Sequence, residues 1–197
     1  MKILAFSDLH GDKDAAAMLV KASAEADLVI AAGDFCNYHN GLAEAVALLR
    51  EIPCPILAVP GNHETVDELT AVAPPQMTVL HGQTRAVGNL SFFGIGYGIP
   101  VTPFGDWSKD LSEAEATDVL ENCHQVDILI SHSPPKGVAD VTSQGQSVGS
   151  SAVRAATERL KPKLLLCGHI HEAWGQTGLI EDTSVHNLGP TLNWFEV

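Results

Sequence analysis

Basic residues are scarce in this chain: 11 Lys and Arg stand against 24 Asp and Glu, a formal net charge of −13 over 197 residues. So acidic a chain lacks the phosphate-neutralising surface on which nucleic-acid binding depends, which argues against a nucleic-acid partner. It also repels phosphorylated substrates at long range, unless bound cations reverse the field locally. Long apolar runs are missing too. None approaches the ~18 residues of a membrane span, and the run at residues 3–6 is too short for the core of a secretory signal. A cytoplasmic location with no membrane partner is the expectation. Cys36, Cys54, Cys123 and Cys167 are scattered, with no Cys-x-x-Cys pair. That suits reduced thiols in a cytosolic protein, although four cysteines leave a disulfide open. With no internal repeat, low-complexity tract or linker, residues 1–197 read as one domain with a substantial core.

What is present is an alternation of short apolar runs and helix-spaced segments. Residues 2–7, 27–32 and 55–59 end abruptly in polar or glycine-containing turns and read as buried strands. Residues 12–24 and 41–51 lie between them, rich in Ala and Leu at helical spacing. This order implies right-handed crossovers and a parallel sheet. Residues 78–80, 84–87 and 91–95 follow without intervening helices, which predicts antiparallel hairpins. Ser112 and Glu115 make a capping-box pattern for a helix over 112–123. A strand at 126–131, a helix at 149–160 and a strand at 163–167 come next. The stretches 176–180, 184–188 and 191–197 read as a closing meander. Residues 96–110 and 133–147 have no regular period, and long irregular loops in a compact fold are often functional.

The residues suited to metal chemistry fall almost entirely at strand ends. Asp8 and His10 follow the first strand, Gly33-Asp34 the second and Gly61-Asn62-His63-Glu64 the third. His132 follows the strand at 126–131, and Gly168-His169-Ile170-His171 the one at 163–167. Ligands in open α/β sheets bind beyond the carboxyl ends of strands, so five such ends would place these groups on one rim. In extended chain, residues i and i+2 point the same way, so Asp8 can act with His10, and His169 with His171. A mixed set of carboxylate, imidazole and amide donors suits Mn, Fe, Zn, Ni or Co better than Ca or a thiolate-held zinc. Taken singly, each piece reads blandly: a turn residue, a Gly-Asn turn, a strand-end histidine. The joint pattern is far harder to read that way.

In these motifs the chain resembles the calcineurin-like metallophosphoesterase superfamily, from residue 3 to about residue 190. The resemblance implies a four-layer α-β-β-α sandwich of two mixed sheets and a pair of divalent transition-metal ions. It assigns Asp8, His10 and His171 to the first ion, Asn62, His132 and His169 to the second, and Asp34 to both. His63 matches the family's catalytic histidine, which is not a ligand. Some branches carry a second aspartate three residues after the one at Asp34, and it orients that histidine. Here Asn37 stands in its place; an amide can hold a ring N–H but cannot stabilise an imidazolium by charge. His39 reads as a solvated loop residue, while His81, His124 and His186 match no motif and read as surface or packing residues.

The implied reaction is hydrolysis of a small phosphoester, nucleotide-derived esters among the candidates, by a hydroxide that the two ions share. Two cations about 3.5–4 Å apart lower the pKa of such a water toward ~7. His63 would then stabilise the phosphoryl charge or protonate the leaving oxygen. The rival reading is a protein-interaction scaffold on the same fold, as in the retromer subunit that resembles this family. A complete ligand set together with His63 favours the enzyme.

Overall fold

The computed structural model describes residues 1–197. The first part of the chain runs β1 (Lys2–Phe6), α1 (Lys13–Ser23), β2 (Leu28–Ala32), α2 (Leu42–Ala47), β3 (Ile56–Val59), α3 (Val66–Val72) and β4 (Met77–Val79). Every residue of β2 and β3 is buried, as parallel strands covered on both faces must be. The Asp12 carboxylate starts α1 by accepting from the amides of Asp14 and Ala15. β1 to β4 pair in chain order, all parallel.

Two expectations fail here. Val66–Val72 form a helix, α3, which Thr65 and Glu68 start with a capping box. The strand after it is no hairpin arm, since Met77 pairs with Ile56 in parallel. Seven residues with Leu69 alone buried carry too little periodicity to be read from sequence, yet they supply the crossover that a parallel fourth strand requires.

The second part runs β5 (Gln83–Val87), β6 (Leu90–Ile95), α4 (Glu113–Glu121), β7 (Ile128–Ser131), α5 (Ser151–Leu160), β8 (Leu164–Cys167), β9 (Thr177–Ile180), β10 (Thr183–Asn187) and β11 (Asn193–Glu196). β5 and β6 make the expected hairpin, and the capping box of Ser112 with Glu115 starts α4. The second sheet has the order β5-β6-β7-β8-β10-β9, and the first β11-β1-β2-β3-β4. The closing meander is therefore wrong. β9 and β10 stay together, but β11 leaves them and pairs antiparallel with β1. Gly189 makes the crossing in the left-handed region, exchanging hydrogen bonds with Ser7.

Three apolar layers fill the spaces between these elements. Leu4, Phe6, Leu19, Leu49 and Leu69 join α1–α3 to the first sheet. Ile3, Ile30, Leu57, Phe92 and Ile130 pack the two sheets face to face. Phe93, Leu120, Leu129 and Val153 join the second sheet to α4 and α5. Neighbours such as Phe92 and Phe93 serve opposite faces, as the two-residue period of a strand demands. The result is a four-layer α-β-β-α sandwich of two mixed sheets. All four cysteines are buried and unpaired, and no helix is long and apolar enough to cross a membrane.

Candidate metal centre

The parallel strands β1, β2, β3, β7 and β8 all end on one rim, where the chain turns sharply. Asp8, His10, Asp34 and His169 take left-handed backbone angles, with φ of 53°, 48°, 59° and 70°. Such angles are costly for residues with a Cβ, and hydrogen bonds hold them. The Asp8 amide donates to the Gly33 carbonyl (2.9 Å) and the His10 amide to that of Asp34 (3.0 Å). The His169 amide donates to the Asp8 carboxylate (3.0 Å). At Gly33 a Cβ would strike the His132 ring, and at Gly61 it would collide with the Asp34 carboxylate. The loops approach too closely there for any side chain.

All seven expected donors come together. Side-chain donor atoms of Asp8, His10, Asp34 and His171 lie within 4.8 Å of one another, as do those of Asp34, His132 and His169. Asp34 belongs to both groups. The Asn62 Oδ1 lies 3.1 Å from His132 Nε2 and 3.0 Å from His169 Nδ1, which joins it to the second group. His63 stands beside them, its Nε2 3.8 Å from Asp34 Oδ2.

The donor set fits metal ions. No Lys or Arg pairs with Asp8 or Asp34; their ionic neighbours are histidines, with His10 and His132 3.6 and 3.5 Å from Asp34 Oδ2. His10 donates through Nδ1 to the Cys36 carbonyl (3.0 Å), and His132 through Nδ1 to the Ala32 carbonyl (2.8 Å). Each neutral ring therefore keeps its proton on the outer nitrogen and turns an Nε2 lone pair inward, the arrangement of a metal-ligating histidine. Asn62 donates through Nδ2 to Ser108 Oγ (3.0 Å), which leaves its Oδ1 facing the cluster. With both rings in their neutral form, lone pairs converge without protons to share, and a cation satisfies that.

Titration follows the same geometry. Burial raises the Asp8 carboxyl, and the Asp34 charge adds to that rise against the opposing pull of His132. Burial works on Asp34 too, but His132, His63 and His10 overcome it and hold the carboxyl below its ordinary value. Burial disfavours charge on His132, yet Asp34 raises it to about 9. Burial, with repulsion from His132, lowers His169 to about 3. His63 falls to about 4, chiefly by burial, with Asp34 opposing.

Several residues at the site escaped the sequence reading. Asn37 does not orient His63: its amide turns away and donates to the His10 carbonyl (3.0 Å). The Tyr38 backbone N–H donates to His63 Nδ1 instead (2.8 Å), and no sequence pattern marks a backbone donor. Glu64 is fully buried and bridges two loops. One oxygen accepts from the amides of Asp34 (2.8 Å) and Gly61 (2.7 Å), the other from Phe35 (3.1 Å). Burial raises its carboxyl to about 7 against those bonds. The Trp174 indole N–H and the Ser7 hydroxyl both donate to Asp8 Oδ2.

His39 is not a solvated loop residue. Its Nδ1 lies 2.8 Å from the Glu68 carboxylate and its Nε2 2.8 Å from the Trp107 carbonyl. Both partners are acceptors, so only the doubly protonated ring satisfies them. Burial opposes that charge, but the bonds to Glu68 and to Trp107 overcome it and raise the pKa. A raised folded pKa means the contribution is complete below the ordinary value of ~6.5 and fades as pH climbs through the raised one. The gap in melting temperature between wild type and His39→Ala should therefore be widest below about pH 6.5 and shrink as pH rises above it. A gap that ignores pH over that range would show that the ring is not charged in this position.

The calcineurin-like phosphoesterase family model matches residues 1–173. The human metallophosphoesterase domain-containing protein 1 is 38% identical over 105 residues, covering 50% of this chain and 32% of that protein. A Caenorhabditis elegans protein of the UPF0046 group is 28% identical over 189 residues, covering 77% and 47%. The chain thus spans less than half the length of these curated relatives. Among solved structures, the TT1561 protein of Thermus thermophilus superposes with a TM-score of 0.77 at 18% identity, covering 98% of this chain and 97% of that one. A dimetal phosphatase from Danio rerio gives 0.65 at 13% identity, covering 96% and 88%. These two likenesses speak for the fold; the family match takes in every strand end that carries a donor, and the chain belongs to the calcineurin-like phosphoesterase family.

Proposed function

We propose that this chain is a metal-dependent phosphoester hydrolase working with two divalent transition-metal ions. The observation that carries the reading is one carboxylate, Asp34, shared between two converging donor groups. Asp8, His10, His171 and Asp34 would hold one ion, and Asp34, Asn62, His132 and His169 the other. When bound, the ions supply positive charge for phosphate oxygens and lower the pKa of a nucleophilic water.

His63 does the remaining work at the reacting centre. Because Tyr38 donates to Nδ1, the neutral ring carries its proton on Nε2, the nitrogen 3.8 Å from Asp34 Oδ2, and His63 lines the cavity. A donor at Nδ1 and a lowered pKa both oppose an imidazolium. His63 therefore acts as a fixed hydrogen-bond donor to the charge that develops on the phosphoryl and leaving oxygens. Glu64 keeps the Asp34 and Gly61 loops in register, so that His63 and Asp34 stay in place together.

Diesters are the proposed substrates, because Lys136 is the only Lys or Arg lining the cavity and a singly charged phosphate asks for less neutralisation. Unpaired buried thiols support a reducing, cytoplasmic location, and the continuous core between the sheets supports one domain over residues 1–197. Metal-reconstituted protein should hydrolyse bis(p-nitrophenyl) phosphate and lose that activity on chelation. Turnover of p-nitrophenyl phosphate about tenfold faster or more would reverse the diester preference. No turnover of any ester with Mn, Fe, Zn, Ni or Co would leave the scaffold reading in its place.

A further inference from the structure

Beside the donor cluster lies a cavity of about 860 Å³, room for far more than a phosphate group. One wall is an aromatic run. Trp107 packs against His63 with ring centroids 4.6 Å apart and against Tyr38 at 4.5 Å. Phe104 continues the run, its ring parallel to Trp107 within 7° at 5.7 Å. Phe104 and Tyr38 are 50% and 57% exposed, a cost in exposed apolar surface that a bound ring would recover.

The wall is held firmly for a loop. His39 bonds the Trp107 carbonyl, the Lys109 amide donates to the Asn62 carbonyl (2.9 Å), and Asp110 accepts from Ser108 and Thr102. Charge narrows what it can take. Apart from the donor cluster, the cavity carries Glu113 and Glu172 against Lys136 alone. Burial opposes charge on Glu113, but the amides of Ala152 and Ser151 lower its pKa and keep it ionised. A second anionic group would meet more repulsion than attraction.

We infer that the Phe104–Trp107 shelf binds a flat, uncharged aromatic group attached to the phosphate of the substrate. The inference rests on the phosphoester-hydrolase reading and gives that site a substrate class. The group is either a ring bonded directly to the ester oxygen or a nucleobase set back by a ribose. Polyphosphates and phosphopeptides rich in acidic residues do not fit.

The test compares phenylphosphonate with methylphosphonate, which offer the same anion with and without a ring, by calorimetry on the metal-loaded protein. Stacking on one aromatic side chain is worth about tenfold or more in affinity. Wild type should favour the phenyl compound by about that factor. Phe104→Ala should bring the ratio close to one, and Phe104→Leu, which keeps apolar bulk but no flat face, should fall between. Equal binding to wild type, or a preference that survives both substitutions, overturns the inference. Parallel rates on bis(p-nitrophenyl) phosphate and methyl p-nitrophenyl phosphate separate the two readings. Hydrolysis of both esters with no phenyl preference defeats the shelf alone; a Phe104-dependent preference with no turnover of any ester defeats the hydrolase alone. Thymidine 5′-(p-nitrophenyl phosphate), set beside the bis-aryl ester, identifies the ring source as the one whose kcat/KM falls further in Phe104→Ala.

Discussion

Asp34→Asn should cost the protein both metals at once, taking it from about two ions per chain toward none. His10→Ala and Asn62→Ala should each spare one, because they serve one donor group apiece. The substitution is mild for the fold: Asn tolerates the left-handed angle at this position as Asp does, and its side-chain oxygen can still accept from the His63 backbone amide. Elemental analysis after reconstitution reads the outcome, and full occupancy in Asp34→Asn would sink the shared-carboxylate assignment. Uptake should also release a proton. His132 titrates at about 9 beside Asp34 in the absence of an ion, so at neutral pH its ring is charged and must discharge before Nε2 can ligate. Affinity should therefore weaken as pH falls.

His63→Ala should keep both metals and lose turnover by ~10²–10³-fold, the usual cost of removing one preorganised donor. The loss should be smaller for esters of nitrophenolate, which carries its charge without help, and larger for alkyl esters. Its pH dependence carries a sign. The folded pKa of about 4 lies below the ordinary histidine value, so the ring is neutral from about pH 5 upward. The ratio of wild-type to His63→Ala rates should stay level across that range. A ratio that collapses between about pH 6 and 8 would mean that an imidazolium acid is at work. Metal loss in the variant would make His63 a ligand.

The five donor-bearing turns were legible because they are local. Each lies directly after an apolar run, and buried parallel strands announce themselves by such runs ending at Asp8, Asp34, Asn62, His132 and His169. Contacts that span the chain were not. The Tyr38 amide reaches a ring 25 positions away, and the Trp174 indole reaches Asp8 across 166; neither leaves a pattern in sequence. Asn37 shows how a neighbour misleads, since the donor to His63 is the next residue's backbone. Short elements were lost for a related reason: α3 and the parallel pairing of β4 depend on packing against α2 and β3. Residues 96–110 and 133–147 were visible only as irregular, while the cavity wall they build comes from ring geometry that emerges on folding.

The left-handed backbone at Asp8, His10, Asp34 and His169 sets two demands on the same positions against each other. For conformational ease alone, glycine would suit all four; for holding cations, none of them can be glycine. Each of these four positions is thus a place where the proposed metal centre would set cation binding against the stability of the apoprotein, and the strain is of the kind that accumulates at functional sites. Thermostability selected in chelated lysate would reward substitutions at these four positions first, and the variants that melt highest should be those that no longer take up metal.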